Sequence, residues 1–250
     1  MNYAVILSGG VGTRLGLDLP KQYYKVVDKP IIQFVIELMT RCDEIDGYVI
    51  VAADGWQEFI ADVVETTVAD FEGVGDKCVV RCKGSNEGKF LGFANPGENR
   101  QLSIYSGLLA LKDIATDDDV ILVQDAARPN TSEELIFRCL HLAEDEDGAM
   151  PVLPMKDTVY LSKTGKCVDI LLNRSEIFAG QAPESFRYGK YLKANEVLLP
   201  EKILQINGST EPAVMAGMKI SMIPGEESNL KITTAEDLSR FERIMEESVK

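Results

Sequence analysis

Glycine-rich turns let backbone N–H groups approach anions closely, and Ser8-Gly9-Gly10-Val11-Gly12-Thr13-Arg14 directly follows the apolar stretch 3–7. Arg14 lies inside that run and Lys21 just after Pro20, adding a planar fork for phosphate oxygens and a mobile point charge. The dinucleotide fingerprint is only nearly matched, because three residues rather than two separate Gly12 from Gly16. The Walker pattern fails as well around Gly84 and Gly88-Lys89. The same glycines would also serve a tight strand-to-helix turn with solvated basic residues. A second candidate is Asp125, in Gln124-Asp125-Ala126-Ala127-Arg128-Pro129 after the apolar stretch 120–123. A carboxylate at the carboxyl end of a buried parallel strand stands where open α/β sheets bind ligands. One Asp beside a phosphate loop is enough to share Mg²⁺ with substrate phosphates. Its alternative task is to cap the next turn and pair with Arg128.

Those groups need a frame. Stretches 3–7, 47–53, 78–82, 119–123 and 149–153 read as strands. Stretches 30–41, 56–68, 99–111 and 132–143 read as helices between them. Near-continuous apolar strands alternating with helices predict an α/β fold, a Rossmann-like, mostly parallel sheet with helices on both faces. The chain reads as one domain over 1–250. Residues 84–99, rich in Gly and Asn, read as a long loop. Residues 158–172 read as a β-hairpin around Ser-Lys-Thr-Gly-Lys, an arm spanning about 154–174 that reaches away from the body. Asp117-Asp118-Asp119 falls before its strand, at the opposite end from Asp125, and reads as a solvated turn.

Charge and composition exclude several classes. With 26 Lys+Arg against 40 Asp+Glu the net charge is −14, a poor match for a polyanionic duplex. A single histidine, His141, rules out His-rich zinc sites; its place in a helical stretch reads as structural. Catalysis must rest on Asp, Lys and Arg. No apolar run approaches the ~20 residues that span a bilayer, and residues 1–7 carry no basic segment of a signal peptide. The cysteines, Cys42, Cys78, Cys82, Cys139 and Cys167, read as buried unpaired thiols of a reducing cytoplasm.

Leu7-Ser8-Gly9-Gly10-x-Gly12-x-Arg14, Pro20-Lys21-Gln22-Tyr23, Arg100-x-x-Ser103, Asp125-Ala126-Ala127-Arg128-Pro129 and Asn229-Leu230-Lys231-Ile232-Thr233 occur in this order along nearly the whole chain. Together they resemble the family of 2-C-methyl-D-erythritol 4-phosphate and ribitol-5-phosphate cytidylyltransferases. The resemblance implies a reaction of CTP with a phosphorylated polyol, giving a CDP-polyol and pyrophosphate, with Mg²⁺ as cofactor. It implies catalytic roles for Arg14, Lys21 and Lys231, and nucleotide contacts from Ser8, Gly9, Gly10, Gly12, Thr13, Gly84, Ser103 and the backbone at Ala126. It implies Asp125 as metal ligand, and an acceptor site from Arg128 with Lys156, Asp157 and Thr158. It also implies a homodimer through the β-arm.

The nucleotide half fits the family pattern and the acceptor half departs from it. The start of the glycine loop, Leu7-Ser8-Gly9-Gly10, is nearer the ribitol type than the usual Pro-Ala-Ala-Gly. Lys156 replaces an arginine and its bidentate fork, Ala182-Pro183-Glu184 replaces Thr-Pro-Gln, and Ser209-Thr210-Glu211-Pro212 replaces Thr-Asp-Glu-Ala. The expected acceptor is ribitol 5-phosphate or a related precursor of cell-surface glycans. Methylerythritol phosphate or a phosphonate is the alternative, and a silent nucleotide-binding scaffold the non-enzymatic one.

Overall fold

The computed structural model describes residues 1–10, 19–70 and 88–248. The first apolar run forms β1 (Asn2–Leu7), and a short extended pair, β2 (Lys25–Val26) and β3 (Lys29–Pro30), leads into α1 (Ile31–Arg41). Then β4 (Gly47–Val51), α2 (Asp54–Asp70), β5 (Phe90–Ala94), α3 (Arg100–Ala110), β6 (Val120–Asp125), α4 (Glu133–Asp145) and β7 (Gly148–Pro154) alternate, each but β5 near its predicted place. Beyond β7 come the paired β8 (Tyr160–Leu161) and β9 (Ile170–Leu171), then β10 (Phe178–Gly180) and β11 (Glu184–Arg187). The chain continues through α5 (Tyr188–Glu196), α6 (Glu211–Met215), β12 (Ile220–Pro224) and α7 (Ala235–Ser248).

The main sheet runs β10-β7-β11-β6-β1-β4-β5, with β12 also paired to β7. β6, β1, β4 and β5 are parallel neighbours, and β11 enters antiparallel between β6 and β7. Alternate residues of each strand face opposite ways. Val5, Val51 and Val123 therefore pack under Ile104 and Leu108 of α3, while Ile6, Ile50 and Leu122 pack under α1, α2 and α4. Helices cover both faces, as expected. On the α3 face the approach is close: a Cβ at Gly107 would collide with Val5 and stand 3.1 Å from Val51 Cγ2.

Three expectations are corrected. Residues 84–99 are not one long loop, because 90–94 form edge strand β5, leaving only 95–99 to connect it to α3. The strand was hidden by Gly92, which sits at φ 130° where the register with β4 shifts at a β-bulge. Asp119 is not solvated: it is buried and accepts from Thr116 N at 2.7 Å and from the Met1 ammonium at 2.7 Å. Cys42 and Cys139 are buried, but Cys167 is exposed on the hairpin. His141 is exposed on α4, its ring against Phe137. The expected strand 78–82 lies outside the described residues.

Candidate active site

β1 and β6 pair with Leu7 opposite Asp125, so the glycine turn and the acidic strand end emerge side by side. Ser8 N continues the ladder to Val51 O at 2.8 Å. Gln22, 3% exposed, then clamps the turn from beneath, its Nε2 donating to Ser8 O and Gly10 O, both at 2.8 Å. Gly9 abuts Pro96, whose Cβ would lie 2.6 Å from any Cβ added there. Glycine at that position is a packing requirement.

The facing wall is the start of α3. Asn99 caps it, accepting from Leu102 N at 2.8 Å and donating to Ile203 O at 2.8 Å. Ser103 Oγ donates to Asn99 O at 2.9 Å and accepts from Gly97 N at 3.1 Å. Between the walls lies a cavity of about 360 Å³, within the size range of small-molecule sites. Gly9, Gly10, Lys21, Gly97, Ser103 and Ala126 line it, with Arg100, Asp125 and Lys231 grouped in the same lining.

That group is an ion cluster. Arg100 Nη2 reaches Asp125 Oδ1 at 3.1 Å, Lys231 Nζ reaches Oδ2 at 2.9 Å, and Arg128 Nε lies 3.5 Å from the same oxygen. Burial alone would push the Asp125 carboxyl up, but Arg100, Lys231 and Arg128 outweigh it and hold it well below the usual carboxylate range. Glu184 behaves oppositely. Burial pushes its carboxyl up, and Arg100, 3.8 Å away and closer to Asp125, only partly offsets that.

The structure brings Gly9, Gly10, Lys21, Ser103, Ala126, Asp125 and Lys231 to one cavity. Ser8 is buried beneath it, its hydroxyl donating to Tyr23 OH at 3.0 Å. Arg128 lies behind Asp125 instead of lining the cavity, donating to Asn229 O at 2.6 Å. Lys156, Asp157 and Thr158 stand exposed at the base of the arm, with Lys156 Nζ 2.6 Å from Glu227, and none of them lines the cavity. Gly12, Thr13, Arg14 and Gly84 lie outside the described residues.

Sequence reasoning assigned no role to Arg100, Glu184, Gln22, Gly97 or Asn229. One signal was available: an arginine in the first turn of α3 opposes the positive end of the helix dipole, which points to carboxylates nearby. Asn229, fully buried, donates to Ala182 O at 2.7 Å and accepts from Thr131 Oγ1 at 3.0 Å, fixing the strap that delivers Lys231. Among the described residues no three His, Cys, Asp or Glu side chains gather as a metal cage. One buried carboxylate in a cavity also lined by Arg100 and Lys231 does fit Mg²⁺, which keeps waters and takes much of its shell from substrate phosphates.

Cations gathered on a carboxylate at the carboxyl edge of a doubly wound sheet define an α/β enzyme that handles phosphorylated ligands. The sequence model of 2-C-methyl-D-erythritol 4-phosphate cytidylyltransferase matches residues 2–247, and the chain belongs to that family of nucleotidyltransferases. It is 29% identical to the ribitol-5-phosphate cytidylyltransferase of Streptococcus agalactiae serotype V, over 98% of this chain and 95% of that protein. It is 30% identical to the 2-C-methyl-D-erythritol 4-phosphate cytidylyltransferase of Geobacter metallireducens, over 99% and 98%. The solved 4-diphosphocytidyl-2C-methyl-D-erythritol synthase of Anaerococcus prevotii shares the fold, with a TM-score of 0.77 at 22% identity, over 98% of this chain and 96% of that one.

Proposed function

We propose that the protein joins CTP to a phosphorylated polyol, releasing pyrophosphate and leaving a CDP-polyol, with ribitol 5-phosphate or a related pentitol phosphate as acceptor. The observation that carries this reading is the meeting of Lys21, Arg100 and Lys231 with Asp125 in one cavity. An oxygen of the acceptor phosphate attacks the α-phosphorus of CTP. The new O–P bond forms as the bond to the bridging oxygen breaks, and pyrophosphate leaves with that electron pair. Two polyanions must meet, so the work is positioning and charge neutralisation. The acceptor phosphate is already ionised at neutral pH, so the step asks no side chain to remove a proton. Lys21, Lys231 and Arg14 hold phosphates, while Ser103, Gly97 and the backbone at Ala126 shape the base end. Mg²⁺ held by Asp125 would neutralise phosphate charge.

The loop start Leu7-Ser8-Gly9-Gly10 and the likeness to the streptococcal relative support ribitol 5-phosphate. The likeness to the Geobacter relative supports methylerythritol phosphate as the second reading. We read the protein as a cytoplasmic homodimer whose arm carries Lys156, Asp157 and Thr158 to the cavity of a second copy; among the described residues no helix is long and apolar enough to cross a membrane. The test is pyrophosphate release with Mg²⁺ and CTP against pentitol, tetritol and methylerythritol phosphates and simple phosphonates. Turnover with ribitol 5-phosphate supports the reading, turnover with another member replaces its acceptor, and absence of CTP binding overturns it.

A further inference from the structure

Glu184 and Ser209, neither of which lines the cavity, touch each other and reach the same arginine. Glu184 pairs with Val123 across β11 and β6, so its side chain shares a sheet face with Asp125, two residues further along β6. Arg100, at the start of α3, lies over that face. Its Nη2 donates to Asp125 Oδ1 at 3.1 Å and its Nη1 to Ser209 Oγ at 2.7 Å. The Ser209 hydroxyl proton is thereby left for Glu184 Oε2, to which it donates in a short hydrogen bond. The result is a relay centred on Arg100, which donates to Asp125 on one side and to Ser209 on the other, with Ser209 donating on to Glu184.

Both outer members are fixed. Glu184 is 7% exposed and Ser209 1% exposed. The Ser209 carbonyl accepts from Tyr191 OH at 2.6 Å, and Tyr191 OH in turn accepts from Gln101 Nε2 at 3.1 Å. Neither Glu184 nor Ser209 lines the cavity, whereas Arg100 and Asp125 do. An arginine held only by Asp125 could rotate about that single contact. The second bond, at the other end of its fork, removes that freedom.

We propose that Ser209 and Glu184 are positioning residues that aim Arg100, and through it Asp125, at the bound nucleotide and its metal; this rests on the cytidylyltransferase reading above. A carboxylate whose partner has drifted holds a cation less well, as when the groups orienting metal ligands are removed. The relay therefore sets metal affinity and turnover, while CTP alone, held by the glycine turn and Lys21, is bound without it.

The test compares Ser209→Ala and Glu184→Ala with the unaltered protein, reading Mn²⁺ affinity in the presence of CTP, CTP affinity without metal, kcat and Tm. The expected result is about tenfold weaker Mn²⁺ binding and about tenfold lower kcat, with CTP affinity within twofold. Glu184→Gln, whose amide oxygen accepts the same bond from Ser209, restores at least half of what Glu184→Ala loses. Should Glu184→Ala fail to fold, Ser209→Ala tests the same link. Mn²⁺ affinity and kcat within twofold in Ser209→Ala overturn the proposal, and so does a parallel fall in CTP affinity, Mn²⁺ affinity and Tm, which marks a purely structural role. Failure of the unaltered protein to bind CTP would instead strike the cytidylyltransferase reading, because the variants are scored only against its own binding.

Discussion

Lys231 Nζ stands 2.9 Å from Asp125 Oδ2, joining the strap after β12 to the end of β6. The carboxylate also meets Arg100 and Arg128, so one buried anion compensates several cations. Removing one partner of a buried ion pair leaves the others uncompensated.

Asp125→Asn should therefore destabilise the protein by about 3–5 kcal/mol and lower kcat by on the order of 10²–10³. The difference in stability is pH-dependent. The Asp125 carboxyl is held below its unfolded value, so its contribution is present above an unfolded pKa of about 4 and fades as pH falls through the folded value. Thermal melts from pH 7 down to 3 should show a constant gap to Asp125→Asn that begins to narrow below about pH 4. A gap that stays constant below about pH 4 would contradict the account.

Glu184 predicts the opposite slope. Its folded carboxyl is raised by burial, so between the unfolded value near 4.3 and the folded one the folded state holds more protons than the unfolded, and stability falls as pH rises. Glu184→Gln lacks this liability. Its Tm relative to the unaltered protein should rise between pH 4.5 and 7; a flat or falling difference would show that burial does not dominate.

Lys21 lines the cavity beside the glycine turn. Lys21→Ala should lower kcat by on the order of 10²–10³, as for loss of a preorganised electrostatic donor, and Arg14→Ala should do likewise. Near-normal single-turnover rates would remove either residue from the mechanism.

Asn229→Ala leaves the buried Ala182 carbonyl without its donor, at a cost of about 1–3 kcal/mol, while the Thr131 hydroxyl can turn to Arg128 O, 3.1 Å away. Because Asn229 anchors the strap ahead of Lys231, KM should rise along with the fall in Tm. Chemical denaturation and steady-state kinetics on the same preparation would separate the two, and an unchanged midpoint would refute the anchoring.

The arm gives a prediction about assembly. Strands as short as β8 and β9 are marginal alone in water, yet they display Tyr160, Leu161, Ile170 and Leu171. Leu171→Asp should convert the proposed dimer to monomer in light scattering and weaken acceptor binding at least about tenfold, with CTP affinity kept. An unaltered protein that is monomeric at tens of micromolar would refute the dimer.

Much of this was legible because it is written locally. β1, β4 and β6 are buried on both faces and show as unbroken apolar runs, and Asp125 and the glycine turn sit at their ends. What was missed depends on distant partners. Phe90–Ala94 is interrupted by the glycine of its bulge. Glu184 opens a short strand with charged ends, Glu-Ser-Phe-Arg, whose pairing with β6 no local pattern announces. Arg100 and Asn229 stand in motifs the sequence shows, but their tasks, like that of Ser209, come from contacts across the chain that no local pattern announces.

Gly107 shows how tightly the scaffold is geared to the chemistry. A single methyl group there would have to lift α3 off Val5 and Val51. Arg100 lies seven residues up the same helix, about 10 Å away at 1.5 Å per residue. The helix is a rigid lever with its fulcrum in the core and a guanidinium at its tip, so a few tenths of an ångström at the fulcrum would swing the charge away from Asp125. Alanine at 107, the mildest of changes by helix propensity, would act as a remote throttle on the site.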